Sequence, residues 1–343
     1  MEITLGSKLD GKNYFLNFIR FIAALCVIIA HGQAIAGIGI YDPLYLLTDG
    51  RYNIGAFSVA IFFISSGLLV TKSLLTKRDI KLYIKARVLR LFPALIISVI
   101  LTIIILGLFF SEYNAISFFT NYSTYFYLLN CILIPYHFLP GIFVNNHYNS
   151  VVNGSLWTLP IEFVCYIGLL IAFKLNLIKQ KLLNVLCVLF AVILVLINYS
   201  DIMFFDSIRY YIYPLYMFFV GMVFYCNRDR IVLNKYCTLI GILIFFIAMI
   251  CGFIDLAMIF IFPYVFISGV FMVSKFPKSL GKCGNYSYEV YLVAFPIQQA
   301  ITYLYGGEMS TLLNIVIAIP LSIIFGGVVK YISDSFTNKF MRG

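Results

Sequence analysis

Two residues in the first long apolar run of the chain, Arg20 and His31, are of types that a lipid-facing helix has no use for. One carries a guanidinium that stays charged at any ordinary pH; the other carries an imidazole that exchanges a proton near neutrality. The run is FLNFIRFIAALCVIIAHGQ, residues 15–33. At 100° per residue, eleven positions make about three full turns, so both side chains leave one face of a helix, about 16 Å apart along its axis. Taken singly, Arg20 reads as a side chain snorkelling to headgroups and His31 as one bonding a neighbouring helix. An ionisable group inside a membrane is a functional candidate in its own right, however, and the pair on one face reads as a site. Two more arginines, Arg87 and Arg90, lie three apart just ahead of another apolar run, on one side of a helix, and Glu162 follows the only tryptophan, Trp157.

These residues need elements that hold them at depth. With 62% hydrophobic and 11% charged residues in 343, the chain is far more apolar than a soluble domain, in which charged residues make up about 25%. It reads as an all-α polytopic membrane protein, a single domain over residues 1–343, because no long polar stretch interrupts the apolar runs. About ten runs are near the roughly 20 residues that cross the hydrocarbon. They fall at about 14–33, 53–71, 91–110, 156–174, 182–198, 210–226, 237–254, 256–273, 285–304 and 311–331, with only Asp255 at the tightest join. Residues 116–135 are apolar enough to compete as a further span. They read as a re-entrant or interfacial segment, because a span there would reverse the side of every later loop.

Lys and Arg gather in short cytoplasmic loops. With the N-terminus inside, all of the 24 basic residues except Arg51 and Arg209 fall on the inner side. Both termini are therefore expected in the cytoplasm, and the net charge of +10 follows from loop bias without a nucleic-acid partner. The first run lacks a small-residue cleavage pattern at its end, which predicts a retained span rather than a signal peptide. Seven of the eight cysteines lie in or at the ends of spans and none forms a C-x-x-C pair, so neither a metal site nor a disulfide framework is expected.

Five stretches occur in order along the chain: Arg20 and His31; VAIFFISSGLLVT, with Phe62, Phe63, Ser66 and Gly67; KARVLRLFPAL, with Arg87, Arg90 and Pro93; NGSLWTLPIEF, with Ser155, Leu156, Trp157, Leu159 and Glu162; and GNYSYEVYLVAFPIQQ, with Ser287, Tyr288, Tyr291, Leu292 and Pro296. Together they resemble the motifs of acyltransferase family 3, integral membrane proteins that move acyl groups, usually acetyl, onto sugars of bacterial surface polysaccharides. Ala60 and Ala294 depart from the family's pattern, where many members carry an acidic residue and a histidine respectively. The extracytoplasmic SGNH-type domain that some members add is not expected here.

The resemblance implies an O-acetyltransferase in the inner (plasma) membrane, with acetyl-CoA as donor substrate, a polysaccharide or lipid-linked sugar as acceptor, and no permanently bound cofactor. Physical chemistry assigns roles within it. Acyl-CoA is polyanionic, and phosphate pairs best with arginine's planar fork, so Arg20, Arg87 and Arg90 at the inner face are expected to bind it. The pantetheine arm would reach up towards His31, a general base on the acceptor hydroxyl, with direct acylation of His31 as the less economical route. Glu162 would orient the imidazole or the sugar, or stand as an interfacial carboxylate. Trp157 would stack on a sugar ring or serve as a belt aromatic. Ser66 is a candidate for bonding the reacting carbonyl, Gly67 for helix packing, and Tyr288 and Tyr291 for lining the substrate cavity. The polar outer loop 111–155, with His137 and His147, suits a polyhydroxylated acceptor or is simply solvated. No metal is expected. The rival reading, a polytopic transporter, predicts inverted repeats, and none is evident in the sequence.

Overall fold

The computed structural model describes residues 2–39, 42–200 and 203–342, with side chains except at 203–207 and 340–342. Its long helices are α1 (Tyr14–Ala36), α2 (Ile54–Lys77), α3 (Ile80–Phe109), α4 (Thr158–Lys174), α5 (Gln180–Asn198), α6 (Met203–Cys226), α7 (Lys235–Ile250), α8 (Ile254–Met272), α9 (Ser287–Leu304) and α10 (Thr311–Arg342). Among the described residues, α1 to α5, α8 and α10 are the seven helices long and apolar enough to cross a membrane, and α7 is a shorter apolar helix. Helix α9 carries Glu289, Gln298 and Gln299 because it is buried on nearly all sides. Its neighbours are protein, where polar groups find partners, rather than lipid.

Local chemistry sets the boundaries. Asn13, Asn53, Asp79 and Asn234 each cap a helix N-terminus by accepting from a backbone N–H of its first turn, the usual remedy for orphaned donors. The basic stretch from Lys72 to Arg90, which lies between the expected spans 53–71 and 91–110, is almost wholly helical. Only Arg78, left-handed at φ 52°, and Asp79 separate α2 from α3, so Arg87 and Arg90 are fixed on a rigid element.

Residues 116–135 form no continuous span. A six-residue helix, Ala115–Thr120, and a 3-10 stretch, Tyr122–Ile132, meet at Asn121, and neither is long enough to cross. Phe118 seats on Gly107 of α3, where an added Cβ would meet its ring at 2.2 Å. With Tyr127, Leu139, Phe143 and Val152 it builds a core against α3, α4 and α9. The segment 111–155 is thus a packed cap, held by side chains rather than merely solvated.

Helices α2 and α6 cross in backbone contact. A Cβ on Gly67 would stand 2.0 Å from Phe218 O, and one on Gly221 would stand 2.3 Å from Ile64 O. Only glycine permits this approach, which is the packing role expected of Gly67. Helix α1 lies among α2, α9, α10 and the short helix Lys278–Cys283. At its C-terminal end Gly37–Ile38 (β1) pairs in parallel with Met309–Ser310 (β2), tying α1 to the start of α10.

Two prolines free carbonyls that neighbouring helices and loops then use. Pro296 has no N–H for Leu292 O, and the Asn153 side chain donates to that carbonyl at 2.9 Å. Pro263 likewise frees Ile259 O, which accepts from the Tyr216 hydroxyl at 3.1 Å. A proline therefore costs a helical bond and creates an anchor for tertiary structure.

Candidate active site

One cavity gathers residues from α1, α2, α3, α4 and α9, so each of the five sequence motifs contributes to its wall. Arg20 comes from α1; Phe62, Phe63 and Ser66 from α2; Arg90 and Leu91 from α3; Thr158, Leu159 and Glu162 from α4; Ser287, Tyr288 and Tyr291 from α9. The Arg20 guanidinium lies 5.9 Å from the Phe62 ring centre and that of Arg90 lies 5.0 Å from the Tyr288 ring. Arg87 stands one layer back, 5.5 Å from the Tyr166 ring. Aromatic faces attract cations in this way without neutralising them.

The hydroxyls of the cavity are ordered. Tyr166, one turn along α4 from Glu162, donates to Glu162 Oε1 in a short bond, and Ser66 Oγ reaches the same oxygen at 3.4 Å. The Tyr291 hydroxyl donates its proton to Ser155 O at 2.6 Å. It must therefore accept from Thr158 Oγ1 at 2.7 Å, since a phenol has one proton to give. Tyr288 OH donates to Leu91 O at 2.9 Å, joining α9 to α3.

The arginines are not matched by carboxylates. Arg90, Glu162, Tyr166 and Arg87 are the titratable groups within electrostatic reach of Arg20. Among the described residues no carboxylate lies within 4.0 Å of Arg20, Arg87 or Arg90. The buried Nε atoms of Arg20 and Arg87 have no acceptor. Keeping such donors unpaired away from water is unfavourable, and an anion entering the cavity would relieve it with charge-assisted bonds.

Residues 13–331 match the acyltransferase family 3 domain, described as an acyltransferase domain. The chain belongs to acyltransferase family 3. It is 30% identical over 302 residues to an O-acetyl transferase of Shigella phage Sf6, covering 84% of this chain and 86% of that one. It is also 28% identical over 172 residues to Nodulation protein 10 of Rhizobium leguminosarum bv. viciae, covering 47% of this chain and 44% of that one. No solved structure matches it.

In this membrane acyltransferase, six of the nine residues singled out from sequence line the cavity: Arg20, Ser66, Arg90, Glu162, Tyr288 and Tyr291. Three do not. Arg87 stands behind Tyr166. His31 lies three turns along α1 from Arg20, its ring edge-on to Phe295 at 5.1 Å, with a buried Nδ1 that has no partner. Phe295 is one turn beyond the lining Tyr291, so His31 sits beyond the cavity, at the end away from Arg20. Glu162 shares no hydrogen bond with it, so in this structure the carboxylate orients Tyr166 and Ser66 instead of the imidazole. Trp157 packs against Tyr210 and Tyr211, with ring centres 5.3 and 5.9 Å away. His137 Nδ1 is 2.7 Å from Asn153 O, and His147 faces Glu308 at 3.3 Å.

Sequence reasoning passed over Tyr166, Thr158, Asn153 and Glu289. Tyr166 was findable, since residues four apart share a helix face. Glu289, 2% exposed, lies 3.7 Å from Lys330 of α10 and has one oxygen without a partner; nothing in the spacing along α9 points to α10.

Proposed function

We propose that this acyltransferase moves an acetyl group from cytoplasmic acetyl-CoA to a hydroxyl of a surface polysaccharide or lipid-linked sugar at the outer side of a bacterial inner membrane. The observation that carries the reading is the meeting of all five motifs in one cavity whose arginines lack carboxylate partners. The name of the Shigella phage Sf6 relative supports O-acetyl transfer. The proposal includes ten membrane passes with both termini cytoplasmic. Its support is the set of ten long helices together with the basic residues concentrated at one set of helix ends.

In this reading Arg20, Arg87 and Arg90 bind the anionic donor, and the thioester extends past Tyr291 towards His31. The neutral imidazole takes the proton of the acceptor hydroxyl as that oxygen attacks the thioester carbonyl carbon. The carbon–sulfur bond breaks, the ester forms, and the departing thiolate gains the proton to leave as CoA thiol. Ser66, which reaches Glu162 Oε1 at 3.4 Å, positions that carboxylate at the arginine end of the cavity.

The test is made in cells lacking the native gene. Complementation with wild type is expected to restore acetyl esters on the surface polysaccharide, while Arg20→Ala at matched membrane abundance restores none. Wild type that adds no ester to any surface sugar sinks the reading.

A further inference from the structure

Directly outside His31 the acyltransferase presents aromatic rings from separate parts of the chain. Phe295, which touches His31, also contacts Tyr148 of the outer cap, with ring centres 5.9 Å apart. Tyr148 in turn is within electrostatic reach of Tyr210 at the outer part of α6, and Tyr210 leads to Tyr211 and Trp157. Tyr148 is 41% exposed, Tyr210 65% and Tyr211 54%. Among the described residues none of these three hydroxyls donates to a protein acceptor. Two ring groups therefore face one another here: Phe295 and Tyr148, which lead to the imidazole, and Tyr210, Tyr211 and Trp157.

We propose that Tyr148, Tyr210, Tyr211 and Trp157 form an acceptor vestibule, on which successive sugar rings of an oligosaccharide stack as one hydroxyl is delivered to His31. This rests on the acetyl-transfer reading above and deepens it by placing the acceptor. A flat aromatic ring offers an apolar face to the C–H face of a sugar, and a tyrosine adds a polar tip for the sugar's rim. The competing explanation is a belt of interfacial aromatics, whose members point outward to headgroups and lipid. Tyr148 and Phe295 do not fit a belt: Phe295 is 4% exposed, and the contacts of Tyr148 run through it to His31. Tyr199, 49% exposed at the end of α5, has the character of a belt residue and provides the control.

Trp157 is the only tryptophan in the chain, so its emission reports on the vestibule without interference. The experiment titrates the purified full-length protein in lipid discs with oligosaccharides released from the surface polysaccharide of the source cell. Monosaccharides from the same hydrolysate run in parallel. The expected result is a saturable change in Trp157 emission with oligosaccharides, weaker with single sugars. Each lost stacking contact is worth about 1 kcal/mol, so Tyr148→Ala or Tyr210→Ala should raise the apparent Kd about fivefold and the pair about twentyfold or more. Tyr199→Ala should leave it within about twofold. Acceptor KM in the transfer reaction should rise in parallel in the alanine variants, with KM for acetyl-CoA unchanged.

Two results overturn the proposal: turnover of the oligosaccharide with no response from Trp157, or equal Kd values for wild type, Tyr148→Ala and Tyr210→Ala. A saturable response lost in the alanine variants but unaccompanied by acetyl transfer leaves the vestibule in place and removes the catalytic reading instead.

Discussion

Asn153→Ala should damage the junction between the outer cap and α9, and Pro296→Ala should repair part of that damage. Asn153 is 3% exposed. Its Nδ2 donates to Leu292 O at 2.9 Å, and its Oδ1 accepts from Ser155 N at 3.1 Å and Ser155 Oγ at 2.6 Å. Alanine removes all three bonds. The Ser155 hydroxyl can turn to another acceptor, but Leu292 O and the Ser155 N–H are left without partners in a region water does not reach. At about 1–3 kcal/mol for each of the two stranded groups, the expected loss is about 2–6 kcal/mol. Leu292 O needs Asn153 only because position 296 supplies no N–H. Replacing Pro296 with alanine returns that donor to the helix, so in the double variant the carbonyl is satisfied again and only the Ser155 contribution is missing. The double-mutant cycle should therefore show a favourable coupling of about 1–2 kcal/mol. Reversible unfolding in mixed SDS micelles measures each free energy. Strict additivity of the two substitutions would refute the argument that the proline-freed carbonyl is what Asn153 serves.

Gly67→Ala should separate α2 from α6, because the new Cβ would lie 2.0 Å from Phe218 O and the obstacle is backbone, which cannot rotate away. Overpacking of this kind costs about 1–3 kcal/mol or more, visible as a lower midpoint in thermal unfolding and as lost transfer through displacement of Ser66. Gly168→Ala, with nothing within 4 Å of the added atom, should be neutral or slightly stabilising; equal behaviour of the two variants contradicts the packing account. Arg90→Lys keeps the charge and loses the fork, so KM for acetyl-CoA should rise by about tenfold or more, with kcat at saturating donor far less affected. An unchanged KM removes Arg90 from donor binding.

Much of this was readable from residue order, and the exceptions share a physical cause. Helix positions followed from apolar run length, and the common face of Arg20 and His31 followed from periodicity. What periodicity cannot supply is which neighbouring helix meets that face at each depth. The cavity accordingly takes Arg20 but leaves His31 above it, against Phe295. Trp157, read as a sugar or belt ring, turned out to stand among tyrosines of α6, more than fifty positions away. The carbonyls freed by Pro263 and Pro296 announce that a donor is needed, yet their donors, Tyr216 and Asn153, come from distant segments. The outer cap looked polar in composition, while its core depends on a few aromatics whose contacts are all long-range. The basic stretch from Lys72 to Arg90 falls outside the apolar runs yet is helical, since its charges mark the end of each apolar run without ending the helix.

In the proposed reaction His31 takes the acceptor's proton beyond a donor cavity lined by unpaired arginines. Purified protein in lipid discs, given acetyl-CoA and surface oligosaccharide, should release CoA thiol and form acetyl ester in equal amounts. General-base catalysis contributes about 10²–10⁴-fold, so His31→Ala should lower kcat by at least about a hundredfold while KM for acetyl-CoA stays within about twofold. A His31→Ala enzyme that forms ester at the wild-type rate would contradict the account.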